Sequence, residues 1–461
     1  MVAAAGATSV AAFHEVNRVV SAFRESPQLQ LGNDLAIPAP GKPQTIMLIG
    51  SDVREKGASG YGGGQRSDTI ILMRLDPSKK ATALLSIPRD LKVSIPGHGV
   101  AKINEAYEDG GAKLTLETVK EITGLRINHV ISVNFLGFVD AVNRLGCVYM
   151  DIDHRYYNPG GSFAAINLQP GYQRICGRDA LSFVRFRHTD TDLVRGSRQQ
   201  QFLAQMKQQI SLSTLFGERD KLLKIFGKYT RSDIHSTSAV LRLLKLALNS
   251  AQYPVEQIPF SPVDLGPSFV TTTPAALQKM ARQFIGVESL KSVAKNKAKK
   301  KTTKHSHKRK HGVNPASLGL LDASSTGRSI ALQTVSAGAA LPVYYPRFVE
   351  SGSTILAPPR AYPFIAKSHK HFPAYRIVVK AQGLGQYYGI QGLAWKDPPI
   401  LKGEHETRHY HGVTYNVYFE GKVTRTVSWT TTHGVYWVQN TLSGELSEDQ
   451  MITIARTARS L

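Results

Sequence analysis

Apolar residues in this chain come in short runs that end on fixed charge. Thr45–Ile49 reads as a buried strand, and Thr69–Leu75 and Ala81–Ile87 as two further β-rich runs parted by the turn Asp76-Pro77-Ser78. Leu114–Thr123 has helical spacing with Gly124 as its C-cap. Val130–Val133 predicts a strand leading into a helix over Phe135–Leu145 that stops at Gly146, and Val148–Ile152 predicts another strand. Further helices are expected at Ala180–Phe186, at Ser197–Ile210 with Ser197 as N-cap, and at Leu215–Tyr229, Ala239–Leu248 and Pro274–Phe284. Thr273-Pro274 is a cap-plus-N1 pair for the last of these. Strands alternating with helices predict an α/β (α+β layered) domain over residues 44–287. Ahead of it stand a short amphipathic helix at His14–Phe23 and a Pro-rich tether over residues 38–43.

The pattern breaks after residue 287. Lys291–Gly327 is rich in Lys, His, Ser and Gly, so residues 288–338 are expected to form a basic disordered linker. Beyond it the period becomes two. Val413, Tyr415, Val417 and Phe419 alternate with polar residues, Glu420-Gly421 turns the chain into Val423–Thr430, and a strand follows at Val435–Gln439. Ser447-Glu448-Asp449-Gln450 is a capping-box pattern. Residues 339–461 are therefore expected to form a small antiparallel sheet plus helix, an accessory α+β domain without chemistry of its own. A chain ending near Val287 is expected to fold and keep activity.

Charge narrows the function classes. The formal net charge of the 461 residues is +23, and removing the ten Lys and Arg between Lys291 and Lys310 still leaves +13. The basicity is global and calls for an anionic partner. The Lys291–Lys310 run is read as a solvated tether that adheres to phosphate-bearing polymers, with a mere linker as the bland reading and no nucleic acid as partner. The two cysteines, Cys147 and Cys176, form no C-x-x-C pair and leave two readings open: one disulfide, or two buried thiols. No run of 18 apolar residues occurs. The opening MVAAAGATSVAAF fails as a signal peptide. Two readings stay open here: the protein is cytosolic, or residues 1–13 are the stub of a membrane anchor that begins upstream, which makes residues 1–43 stub and tether.

Candidate chemistry sits at the ends of the apolar runs. Gly50-Ser51-Asp52-Val53-Arg54, Arg66-Ser67-Asp68, Pro88-Arg89-Asp90 and Lys102-Ile103-Asn104 are followed by Arg185-Phe186-Arg187-His188-Thr189-Asp190-Thr191-Asp192, which continues to Arg195, Arg198 and Gln199. Many guanidiniums and few carboxylates, with no Ser/His or Cys/His pair, suit a phosphate-rich substrate. Arg grips phosphate oxygens bidentately and keeps its proton. Asp holds the magnesium that such phosphates bring.

Taken in order, IMLIGSDVR, QRSDTIILMRLD, ALLSIPRDLKVSIPGHGVAKINEAYEDGG, VNFLGFVDAVNRLG and ALSFVRFRHTDTDLVRGSRQQQFL resemble the signature blocks of the LytR–CpsA–Psr family across residues 44–212. The resemblance implies a central mixed sheet flanked by helices. It implies a membrane-anchored, extracytoplasmic phosphotransferase that moves a polyprenyl-pyrophosphate-linked glycopolymer onto peptidoglycan through a phosphodiester, with a side pyrophosphatase activity. It assigns pyrophosphate contacts to Arg66, Arg89, Lys102, Arg185, Arg187 and Gln199, and Mg²⁺ (or Mn²⁺) to Asp52 and Asp68. Arg195, Arg198 and Asp90 complete the expected substrate-binding set. The membrane surface is an expected partner. Two features depart from the family: the membrane helix is absent from this sequence, and residues 339–461 lack the VLNGSG-like pattern of the domain often appended. The alternative class is a non-catalytic envelope protein that binds polyanions or lipid phosphate, and intact Asp52, Asp68 and Arg89 argue against it.

Single residues keep competing readings. Asp90 is either a base or a charge partner for a neighbouring Arg. His188 is read as orienting the Asp190–Asp192 turn, whose acids in turn orient Arg187, Arg195 or Arg198. His405-Glu406-Thr407-Arg408-His409 matches H-E-x-x-H, but zinc chemistry there needs a helix. Pro398-Pro399 upstream and the strand near Val413 deny one, so a metalloprotease is set aside.

Overall fold

The computed structural model describes residues 17–22, 26–31, 33–37, 39, 41–51, 67–160, 165–186, 191–251, 253, 255–265, 269–286, 314–421 and 423–461. The chain packs as two compact units, both discontinuous. The first holds Met1–Cys147, Cys176–Leu181 and Ile210–Ser289; the second holds Val148–Ile175, Ser182–Gln209 and Leu290–Leu461.

The first unit is built on a mixed six-stranded sheet in the order Thr230–Ser232, His129–Asn134, Gln44–Ser51, Ser67–Asp76, Ala81–Ile87, Val255–Ile258. Gln44–Ser51 runs antiparallel to Ser67–Asp76 and parallel to His129–Asn134. Ala81–Ile87 is antiparallel to Ser67–Asp76 and parallel to Val255–Ile258. The apolar runs are continuous because both faces of the central strands are covered. One face sends Ile46, Leu48, Met73 and Leu75 against Val240, Leu243 and Leu246 of the Thr237–Ala251 helix. Met47, Ile49 and Leu72 alternate onto the other face and are buried there. Caps act where the sequence places them. Gly124 and Gly146 end their helices in the left-handed region, and Thr273 Oγ1 accepts from the amide of Ala276. The helix expected at Leu114 begins at Glu105, and Gly110-Gly111 kinks it. The helix expected over Leu215–Tyr229 is two, Leu212–Gly217 and Arg219–Tyr229. Cys147 and Cys176 form a disulfide, which decides between the two readings of the cysteines.

The second unit has an antiparallel sheet larger than the three strands legible in the sequence. Its order is Thr354–Ile355, His371–Lys380, Tyr387–Leu393, Val435–Gln439, Val423–Thr430, Val413–Glu420, His405–Tyr410, and Arg360–Ile365 also pairs with His371–Lys380. One face packs Ile377, Val379, Ile390, Val427 and Val438 against the Ser324–Ser336 and Glu448–Thr457 helices. The capping box at Ser447 and Gln450 is formed. The other face receives a hairpin of Val148–Ile152 and Gly171–Ile175, whose Tyr172 stacks with Phe364 while Tyr149 packs tilted against the same ring. Arg376 and Trp437 of the sheet both donate to one oxygen of the hairpin's Asp151, at 3.0 and 2.8 Å, with the Asp151 and Arg376 side chains fully excluded from solvent.

Two sequence boundaries are corrected by this packing. Residues 314–336, expected within the disordered linker, fold: Pro315–Leu318 is a 3₁₀ turn, Leu320–Asp322 a strand and Ser324–Ser336 a helix. The Lys-rich composition that suggested disorder stops at Lys310, and buried Ile330 and Ala331 anchor the helix. Residues 148–175 and 182–209, which the sequence pattern places in the 44–287 domain, belong to the second unit. A short apolar run does not specify its partner strand, and Val148–Ile152 finds Gly171–Ile175 rather than the central sheet.

Candidate functional site

In the first unit the strand ends assemble one sheet edge. Ser51 ends its strand opposite Ser67, while Gly50 pairs with Thr69, so Asp68 is the extra residue of a bulge at that edge. Asp52 follows Ser51 and Arg66 precedes Ser67 in sequence; both, like the Asp68 side chain, lie outside the described residues. Ala81–Ile87 ends at the same edge, with Ile87 opposite Ile70, and leads into Pro88-Arg89-Asp90. The Lys102–Asn104 segment is fastened to that turn, since Ile103 N–H donates to Leu91 O at 2.9 Å and Asn104 N–H to Arg89 O at 3.2 Å. Side chains then converge. Asp90 is buried and lies 3.2 Å from Lys102 Nζ and 3.8 Å from Arg89 Nε, the geometry of a charge partner rather than of a base. Lys102 and Lys92 both sit over the ring of Phe269.

Sequence reasoning missed the hydroxyls near this edge. Ser132 Oγ lies 3.5 Å from Ser51 Oγ and 3.4 Å from the Tyr107 hydroxyl. The only signal was a polar residue inside the apolar run His129–Asn134. Two further atoms are informative: Ser67 Oγ and Asn104 Oδ1 are buried and make no hydrogen bond among the described residues. Buried polar atoms in folded proteins are normally paired. Unpaired oxygens, one at the carboxylate-bearing bulge and one on the segment fastened to the Arg89 turn, fit a hard cation or a ligand carrying one.

In the second unit the remaining candidates gather where the Gly177–Arg185 helix meets the Asp192–Gln209 helix. Arg185 is the last residue of the first helix and is partly buried. Arg187, His188 and Asp190 lie outside the described residues. Arg195 is buried and paired with Asp192, as the orienting role of that acid requires. Arg198 is wholly buried. Its Nη1 donates to the carbonyls of Phe183 at 3.1 Å and Phe186 at 2.9 Å, and its Nε to the Tyr156 hydroxyl at 3.2 Å. Gln199 Nε2 donates to Val184 O at 3.1 Å. The sequence grouped Arg198 and Gln199 with the substrate contacts; the structure gives their side chains bonds to the helix that carries Arg185.

The H-E-x-x-H segment forms the strand His405–Tyr410. His405 packs on Tyr418 and His409 pairs with Thr414, which removes the helical context a zincin needs. Among the described residues no group of three or more His, Cys, Asp or Glu could hold a metal, and no helix is long and apolar enough to cross a membrane.

Comparison with known proteins adds lineage to this geometry. The chain is 31% identical over 205 residues to the polyisoprenyl-teichoic acid–peptidoglycan teichoic acid transferase TagT of Bacillus subtilis, covering 44% of this chain and 63% of that protein. It is 35% identical over 198 residues to TagU of Oceanobacillus iheyensis, covering 41% and 58% respectively. It is 38% identical over 168 residues to the probable cell wall biosynthesis protein LcpB of Corynebacterium glutamicum, covering 34% and 40%. The chain thus spans less than two thirds of the length of each of these relatives. A crystal structure of B. subtilis TagV aligns with 54% of this chain and 98% of that one at 27% identity, with a TM-score of 0.43. The model of the LytR_cpsA_psr family matches residues 10–281, a stretch that holds every motif block and more than half of the 461 residues. By that match the chain belongs to the LytR–CpsA–Psr family.

Proposed function

We propose that this protein transfers a polyprenyl-pyrophosphate-linked glycopolymer onto peptidoglycan. The observation that carries the reading is the sheet edge where the Asp68 bulge, the Arg89–Asp90 turn and Lys102 come together, inside the region that matches the family. The names of the relatives, transferases of teichoic acid from a polyisoprenyl carrier, support the same chemistry. An acceptor hydroxyl on peptidoglycan attacks the sugar-proximal phosphorus. A phosphodiester forms, the pyrophosphate bridge breaks, and polyprenyl phosphate leaves with the electron pair. Arg89 and Lys102 hold charge that builds on the phosphoryl oxygens, and Arg185 is the candidate for the same task. Asp90 keeps the Arg89 and Lys102 cations aligned. Asp52 and Asp68 are the residues to hold Mg²⁺, which supplies charge neutralisation when bound. Water in place of the acceptor gives a side pyrophosphatase activity. The reaction calls for a domain outside the membrane and close to its surface.

The test is purified protein supplied with a polyprenyl-pyrophosphate-linked oligosaccharide and a peptidoglycan fragment, with the phosphodiester product read by mass spectrometry. Arg89→Ala is expected to lower turnover by roughly 10²-fold, by analogy with losing one donor to a developing charge. Asp68→Ala is expected to abolish it while thermal unfolding stays unchanged. Full turnover in excess chelator removes the metal from the proposal, and release of free lipid phosphate with no acceptor product under any condition makes the protein a hydrolase instead.

A further inference from the structure

A chain of buried polar groups in the second unit has no part in the chemistry above. Asp153 follows the Val148–Ile152 strand, and its side chain is almost wholly buried. It accepts from the Tyr156 hydroxyl at 2.7 Å, and that same hydroxyl accepts from Arg198 Nε at 3.2 Å. Burial presses the Asp153 carboxyl upward, but the nearby His154 and the Tyr156 hydroxyl outweigh it and hold the acid below its usual range. Burial lifts the Tyr156 phenol well above its ordinary value, so it keeps the proton it donates. The Arg198 guanidinium lies between the rings of Tyr156, Phe183 and Phe186, 4.7, 5.5 and 5.7 Å from their centroids. Its Nη1 donates to both the Phe183 and Phe186 carbonyls, and Gln199 takes the Val184 carbonyl between them. A helix C-terminus leaves such carbonyls without intrahelical partners, and a cation there is favourable. At the far end of the chain His154 stacks on Tyr387 of the C-terminal sheet, with ring centroids 3.9 Å apart.

From this we infer that Asp153, Tyr156 and Arg198 form a positioning relay, buttressed by Tyr387, that sets the last turn of the Gly177–Arg185 helix and hence the aim of Arg185. The C-terminal sheet thereby acts on the aim of Arg185 through packing. The relay rests on the proposed transferase reading for its link to rate, but its effect on the helix end stands apart from that reading.

The test uses the full chain. Tyr156→Phe keeps the ring and deletes the hydroxyl that joins Asp153 to Arg198. It should speed hydrogen exchange of the Val184–Phe186 amides. It should also lower kcat by on the order of tenfold or more while KM stays within about twofold, as misaimed groups do. Tyr387→Ala should do the same, and Tyr387→Phe should restore both readouts because stacking needs the ring alone. Unchanged exchange and kcat in Tyr156→Phe overturn the relay, as does a loss in Tyr387→Ala that Tyr387→Phe fails to rescue. If the wild type shows no transfer at all, the functional reading fails, and the exchange measurement still decides the relay.

Discussion

Arg376 and Arg408 show how differently one residue type can matter. Arg376 is sealed from solvent against Asp151, which also accepts from Trp437, whereas Arg408 lies on an edge strand, part-exposed between Glu406 and Glu448. Arg376→Ala strands a buried carboxylate and should cost about 3–5 kcal/mol. Arg408→Ala should cost about 1 kcal/mol or less, and urea midpoints will separate the two. A second residue-level effect concerns pH. Burial raises the Glu350 and Glu445 carboxyls above the usual glutamate value, and the Glu350 charge adds to the rise at Glu445. A raised folded-state pKa means the folded protein holds more protons than the unfolded chain. The pair's contribution is therefore full below the ordinary glutamate value and lost as pH climbs through the raised ones. Thermal midpoints at about pH 5 and about pH 8 should lie closer together in Glu445→Gln than in the wild type. Residue chemistry was legible in the sequence only as charge and spacing. Those placed Asp68 and Arg89 at ends of strands that could be recognised. They did not suffice for Arg198, because spacing along a helix does not say whether a guanidinium points at a ligand or at a neighbouring carbonyl.

Elements were legible where a local signal forced them. The four inner strands of the central sheet that the sequence shows, the Gly124 and Gly146 caps and the Ser447 box all rest on residues that act within a few positions, whereas the short edge strands Thr230–Ser232 and Val255–Ile258 carry no such signal. Where partners lie far away, the sequence misled. Asp192 opens its helix five residues before the Ser197 that looked like the cap, because the pair with Arg195 holds the first turn. The strands His371–Lys380 and Tyr387–Leu393 went unseen although they form the middle of the C-terminal sheet. Tyr387–Leu393 contains two glycines, a composition that disfavours a strand locally. Gly389 explains the exception: a Cβ there would stand 2.0 Å from the Ile377 carbonyl oxygen of the neighbouring strand. That contact is with backbone and cannot be relieved by a rotamer change. Gly389→Ala is expected to unfold the second unit, seen as loss of its cooperative thermal transition, while Gly412→Ala, which meets nothing within 4 Å but sits at φ +80°, should cost only about 1 kcal/mol.

For the whole molecule the partition by packing replaces the partition by motif. A chain ending near Val287 keeps the hairpin that carries Asp151, Tyr149 and Tyr172 and loses the sheet face that buries them. Such a truncation should not behave as the folded, active domain that the sequence suggested; it should aggregate or exchange amides freely over residues 148–175. The Cys147–Cys176 disulfide closes the loop around that same hairpin, and its removal should cost roughly 3–4 kcal/mol by loop entropy, read as denaturant midpoints with and without reductant. The long reach of Asp151 also sets a clock. Its bonds span 225 and 286 positions to Arg376 and Trp437, so a ribosome moving from the N-terminus releases the hairpin long before its partners exist. Asp151 therefore stays without its buried partners until the strands carrying Arg376 and Trp437 have followed it. Until those strands follow, the carboxylate that the finished sheet seals away from water stays in it.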